Sequence, residues 1–116
     1  MKENPIKDKS YSFALKAVSI YKNLQQKKEF ILSKQFLRSA TSIGANIEEG
    51  IQAQSKKDFI HKLSISQKEA FETNYWIRLL RDSNYIEKQV ATELIKDCEE
   101  IQKIITAILK TAKRNN

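Results

Sequence analysis

Four carboxylates sit at spacings that could support chemistry. Glu48 and Glu49 are adjacent, and Glu69 and Glu72 lie three residues apart, on one face of any helix that carries them. Paired carboxylates do acid–base work or hold a metal when a nucleophile or further ligands stand with them. His61 is the only histidine and Cys98 the only cysteine, so the recurrent His/Cys zinc patterns are excluded. His61 reads as a surface residue and Cys98 as a core residue. Gly44 and Gly50 are the only glycines and sit in the wrong context for a phosphate-cradling loop. The reading is a non-enzymatic protein: no catalytic residue, no metal ligand, no cofactor. Glu69 and Glu72 have a simpler employment as partners of Arg38, whose guanidinium fork accommodates two carboxylate oxygens.

The basic side chains are the stronger chemical signal. The formal charge is +7, and residues 1–38 hold nine Lys and Arg against three Asp and Glu, a net +6. Such segregation suits a polyanion partner, although basic proteins also stay soluble by it. The segment KNLQQKKEFILSKQFLR (22–38) supplies Lys22, Lys27, Lys28 and Lys34 as candidate phosphate contacts on RNA or DNA. Tyr21 and Phe30 could stack on bases. For Phe30 the preferred reading is structural, a plug for the end of a helical bundle.

The elements that must position these groups are helices. Two glycines and one proline are too few for a turn-rich β chain, and the Lys, Glu, Ile, Leu, Ala and Gln content favours long helices. Hydrophobic residues make up 41% and charged residues 30% of 116 residues, enough for one domain with a core. Apolar periodicity predicts helices over about 5–26, 33–50, 56–81 and 86–112. Asn4 caps the first, with Pro5 at its first position; Ser33 is expected to cap the second, with Leu32 stapled on Leu37; Ser55 caps the third. Gly50 reads as a C-terminal stop, and KRNN (113–116) as a frayed tail. Short connections make successive helices antiparallel, giving an all-α up-down-up-down four-helix bundle. The first ten residues lack a secretory signal's apolar core, IITAIL (104–109) is too short to span a membrane, and a single cysteine fits a reduced thiol. A cytoplasmic protein without a membrane partner is expected.

Two faces need further explanation. Across SATSIGANIEEG (39–50) and its flanks, Phe36, Ala40, Ile43, Ile47 and Ile51 make an inward stripe, while Ser39, Ser42, Asn46 and Glu49 form an adjacent arc beside Arg38. Small side chains there let another helix backbone approach, and polar ones require partners. On the third helix, Phe59, Leu63, Ser66, Ala70, Thr73, Ile77 and Leu80 form one seam. Ile65, Glu69, Glu72, Trp76 and Leu79 form a second. Either the second seam recruits another copy of the chain, which is preferred because Trp76 and Leu79 are large, or the third helix is simply central.

LSKQFLRSATSIGANIEEG and SKKDFIHKLSISQKEAFETNYWIRLL carry a resemblance over nearly the whole chain. It resembles the bacterial four-helix-bundle family encoded in intervening sequences of large-subunit (23S) rRNA genes. It is also similar to the accessory variability determinant of diversity-generating retroelements. The resemblance implies a left-turning bundle that assembles as a homopentamer and, by analogy with the retroelement relatives, binds nucleic acid and a partner reverse transcriptase. The family pattern falls on Arg38, Ser39, Ser42, Ile43, Asn46, Ile47, Glu49, Gly50, Glu69, Glu72 and Trp76. Gly44 departs from it, standing where many relatives have proline. A bundle that binds structured RNA or a hybrid through Lys22, Lys27, Lys28 and Lys34 is the resulting expectation. The alternative is a protein-interaction scaffold without a nucleic-acid role.

Overall fold

The computed structural model describes residues 4–115. They form four helices, α1 (Pro5–Gln26), α2 (Leu32–Ile51), α3 (Lys56–Asp82) and α4 (Lys88–Arg114), with no strand among the described residues. A 27-residue helix is about 40 Å long, which accounts for most of the 48 Å long axis of the bundle. Neighbours in sequence are neighbours in space. α2 against α3 is the broadest contact, and the α1–α4 seam that closes the bundle is the thinnest.

Local signals explain most boundaries. Asn4 accepts from the Lys7 amide at 3.3 Å, and Ser55 accepts from the Asp58 amide at 3.1 Å. α1 and α3 both end through a left-handed residue, Lys28 (φ 63°) and Asn84 (φ 66°). In each case the following amide reaches back to satisfy a last-turn carbonyl: Glu29 to Leu24 and Tyr85 to Leu80, both 2.9 Å. Three expectations need correction. Ser33 does not cap α2, which begins one residue earlier; its amide is bound by Glu29 instead. Gly50 is not a left-handed stop, since it lies inside α2 and neither glycine has positive φ. α4 runs through Lys113 and Arg114, so the first two of the four residues expected as a frayed tail are helical and Asn115 is its C-cap; Asn116 lies outside the described residues.

On α2 the expected inward stripe is buried from Phe36 through Ala40 and Ile43 to Ile47, but Ile51 at its end is exposed; α1 carries two adjoining apolar stripes and buries one of them. Phe13, Ala17 and Leu24 are buried, while Tyr11, Leu15 and Val18, on the adjoining stripe, stay exposed. α1 touches only α2 and α4, so a single stripe suffices for it. On α3 the seam Leu63, Ser66, Ala70, Thr73, Ile77 and Leu80 is buried throughout. The α2–α3 contact is close because α2 offers small residues there. A Cβ on Gly50 would stand 2.6 Å from Leu63 Cδ2, a distance real contacts do not reach. Gly44 faces α1, where a Cβ would meet Ser10 Oγ at 3.3 Å.

Candidate nucleic-acid interface

The four lysines named from the sequence cluster where α1 gives way to α2, and the geometry there starts from Glu29. Its carboxylate is buried beneath the turn and accepts from the Ser33 amide at 2.6 Å and the Ile31 amide at 3.3 Å. Ser33 Oγ in turn donates to the Glu29 carbonyl at 2.6 Å, and Gln25 Nε2 donates to that carbonyl (3.2 Å) and to Ser33 Oγ (2.8 Å). Burial pushes the Glu29 carboxyl upward, but the amides of Ser33, Leu32 and Ile31 outweigh it and hold the group below the ordinary glutamate range. The negative charge at the start of α2 also meets the positive end of the helix dipole. The N-terminus of α2 is therefore already occupied by an anion of the chain itself.

This anchor holds a turn whose outer surface is basic and apolar. Lys28 adopts a left-handed conformation that favours glycine and costs a residue with a Cβ about 1 kcal/mol or more. Lys27 Nζ donates to the Tyr85 carbonyl at 2.8 Å, tying the turn to the α3–α4 connection. Phe30 and Ile31 are 56% and 76% exposed. The preferred reading of Phe30 as a plug is thus wrong: Glu29, not Phe30, fills the space beneath the turn, and the ring stands in solvent.

The charge of α1 divides along its length. Lys9 pairs with Glu100 at 3.1 Å and Lys16 with Asp97 at 2.6 Å, bridging the thin seam to α4. No carboxylate among the described residues lies within ion-pair distance of Lys22, Lys27, Lys28 or Lys34. Among the described lysines of residues 4–38, Lys7 near the start of α1 and the four around the turn after it are left without an ion pair.

The second group of predicted residues forms a separate cluster across α2 and α3. Arg38 binds Glu69 at 3.2 Å and also Glu72, and its Nε donates to Gln35 at 3.3 Å. Glu72 further accepts from Trp76 Nε1 at 2.9 Å. Ser39 is fully buried. Thr73 Oγ1 lies 2.9 Å from its hydroxyl and 2.7 Å from the Glu69 carbonyl, while Ser39 Oγ lies 3.2 Å from the Phe36 carbonyl. Two hydroxyl protons are shared among these three contacts. The polar arc then rises to the surface: Ser42 and Asn46 are half-buried, with Asn46 donating to the Ser42 carbonyl at 2.9 Å. Glu49 is exposed and paired with Lys62 at 3.0 Å. Trp76 and Leu79 are half-buried, and Trp76 packs on the core. The large uncovered aromatics of α3 are Phe71 (61% exposed) and Tyr75 (49%), which lie on neither predicted seam. Tyr75 meets the Trp76 ring edge-on at 5.0 Å and carries Arg78 over its face. Cys98 is buried, donates to the Ala70 carbonyl at 3.2 Å, and has its thiol pushed up to about 12 by burial. His61 is exposed.

No helix is long and apolar enough to cross a membrane among the described residues. The fold has a solved counterpart: the crystal structure of a protein of unknown function from the S23 ribosomal protein family of Bacteroides thetaiotaomicron. It is 51% identical and superimposes with a TM-score of 0.89, covering 90% of this chain and 98% of that one. Among curated proteins no match is found. The family model described as 23S rRNA-intervening sequence protein matches residues 2–107. The repeated small-and-polar pattern of α2, its guanidinium pairing to α3, and that match over nearly the whole chain lead to one assignment: this chain belongs to the 23S rRNA-intervening sequence protein family.

Proposed function

We propose that this protein is a non-enzymatic, cytoplasmic helical bundle that binds nucleic acid, structured RNA or a hybrid, through the turn between α1 and α2. One observation carries the reading: among the described residues Lys22, Lys27, Lys28 and Lys34 have no carboxylate within pairing distance, whereas Lys9 and Lys16 are neutralised by α4. Ammonium groups left without counter-charge on a turn held from beneath are suited to phosphates, which would release condensed counterions on binding. The strained backbone at Lys28 supports the same reading, because a lysine stands where glycine would be cheaper. The family's description as an rRNA-intervening sequence protein is consistent with an RNA connection. Replacing Lys28 and Lys34 by Glu is expected to weaken binding of RNA or DNA in a gel shift at modest salt by about tenfold or more. Unchanged affinity would remove the turn as the binding surface.

Self-association belongs to the same proposal. The exposed aromatic edge of α3, Phe71 and Tyr75 beside Trp76, is where we place contacts between copies, with Arg38, Ser39, Glu69 and Glu72 setting the packing beneath it. A pentamer is the assembly that the family resemblance implies, and a ring would repeat the basic turn and multiply phosphate contacts. Light scattering should return the mass of several copies; the mass of one copy would remove this part.

A further inference from the structure

We infer that the turn takes unpaired nucleotides, with Phe30 as a stacking platform for a base and Lys28 and Lys34 on the flanking phosphates. This rests on the nucleic-acid reading above and narrows it to the unpaired parts of an RNA or DNA. Phe30 is 56% exposed and its neighbour Ile31 76%, although a buried aromatic side chain gains about 1.5–3 kcal/mol over an exposed one. The ring does not hang on a loose loop. The residue before it is fixed by the Glu29 carboxylate on the amides of Ile31 and Ser33, and the turn begins with the Glu29 amide on the Leu24 carbonyl. A π-face held out in water between two uncompensated lysines is the arrangement by which single strands are bound without sequence readout.

The alternatives fit less well. A base inside a duplex has both faces covered by its neighbours, so Phe30 has nothing to stack on there. A bilayer would ask for basic groups ringing the apolar tip. Here Lys22 lies on α1 itself, before the turn that carries Lys28 and Phe30, and Lys34 lies beyond it on α2, so the basic groups follow the chain through the turn, an order that a phosphate backbone can track. The α2 N-terminus offers no competing phosphate site, because Glu29 occupies it.

Fluorescence anisotropy with a labelled oligouridylate of about 12 nucleotides and a duplex of the same length provides the test. The single strand should bind more tightly than the duplex. Phe30→Ala should weaken the single strand about 5- to 150-fold and leave the duplex unchanged, and Phe30→Tyr should restore binding. The ring is exposed, so both variants should keep the wild-type circular dichroism. If Phe30→Ala binds the single strand like wild type while the Lys28/Lys34 variant is weakened, the stacking assignment is overturned and the basic-turn reading survives. If wild type binds neither oligonucleotide, both are overturned. Phe30-dependent binding to phosphatidylserine vesicles with no oligonucleotide binding would overturn both in favour of a lipid anchor.

Discussion

Replacing Gly50 by valine is expected to destabilise the protein by about 3 kcal/mol, a fall in Tm on the order of 10 °C. The first added carbon already meets Leu63 Cδ2 at 2.6 Å and Lys62 Cβ at 3.3 Å. Leu63 is almost fully buried in the central seam of α3, so it cannot swing outward to make room. α2 must then move off α3, loosening the broadest contact in the bundle and with it the Ser39–Thr73 and Ser66–Ile43 hydrogen bonds. Gly44→Ala is the matched control. Its Cβ would lie 3.3 Å from Ser10 Oγ and 3.4 Å from the Ser10 carbonyl, and the gain in helix propensity, about 1 kcal/mol, offsets that crowding. Urea or thermal unfolding of the two variants measures the difference. A Gly50→Val protein as stable as wild type would mean that α2 and α3 are not packed this closely.

Replacing Glu29 by alanine is expected to cost about 2–3 kcal/mol at neutral pH, since hydrogen bonds to an ionised acceptor are worth about 1.5–3 kcal/mol and the amides of Ile31 and Ser33 lose theirs. The effect has a definite pH signature. The folded protein holds this carboxyl below the ordinary value of 4.5, so its contribution is complete above that value. It is lost as pH falls through the lower folded-state value, because the unfolded chain takes up the proton first. Wild type and variant should therefore converge in acid. Binding separates the structural role of Glu29 from its charge. Removing a negative charge from the turn would strengthen nucleic-acid binding if only net charge mattered. If the carboxylate's role is to hold Lys28 and Phe30 in place, Glu29→Ala should bind more weakly.

Periodicity and caps were enough to place the helices, because Asn4 and Ser55 sit at the standard spacing from the amides they receive. The α3 seam was readable for the same reason: of seven residues at alternating spacings of three and four, six are buried and Phe59 at the start packs half-buried against the core. Arg38 with Glu69 and Glu72 followed from charge and residue type. The turn was not readable. Glu29 binds amides two and four residues ahead, a spacing that matches no standard cap, and Ser33 looked the better cap because its hydroxyl type is the usual one. The left-handed bend at Lys28 is closed by the Glu29 amide on the Leu24 carbonyl and carries no glycine, so no residue type announces it. Tyr11, Leu15 and Val18 on α1, and Phe71 and Tyr75 on α3, stay exposed because periodicity reports apolar faces without saying which of them the chain itself covers.

The salt dependence of binding tests whether lysines left without counter-charge at the α1–α2 turn make the contact with nucleic acid. For a single strand held by Lys22, Lys27, Lys28 and Lys34 of one copy, log K should fall against log salt with a slope of about −3, and the Lys28/Lys34→Glu protein should show a slope about half as steep. A flat dependence in wild type, or the same slope in both proteins, would contradict the assignment.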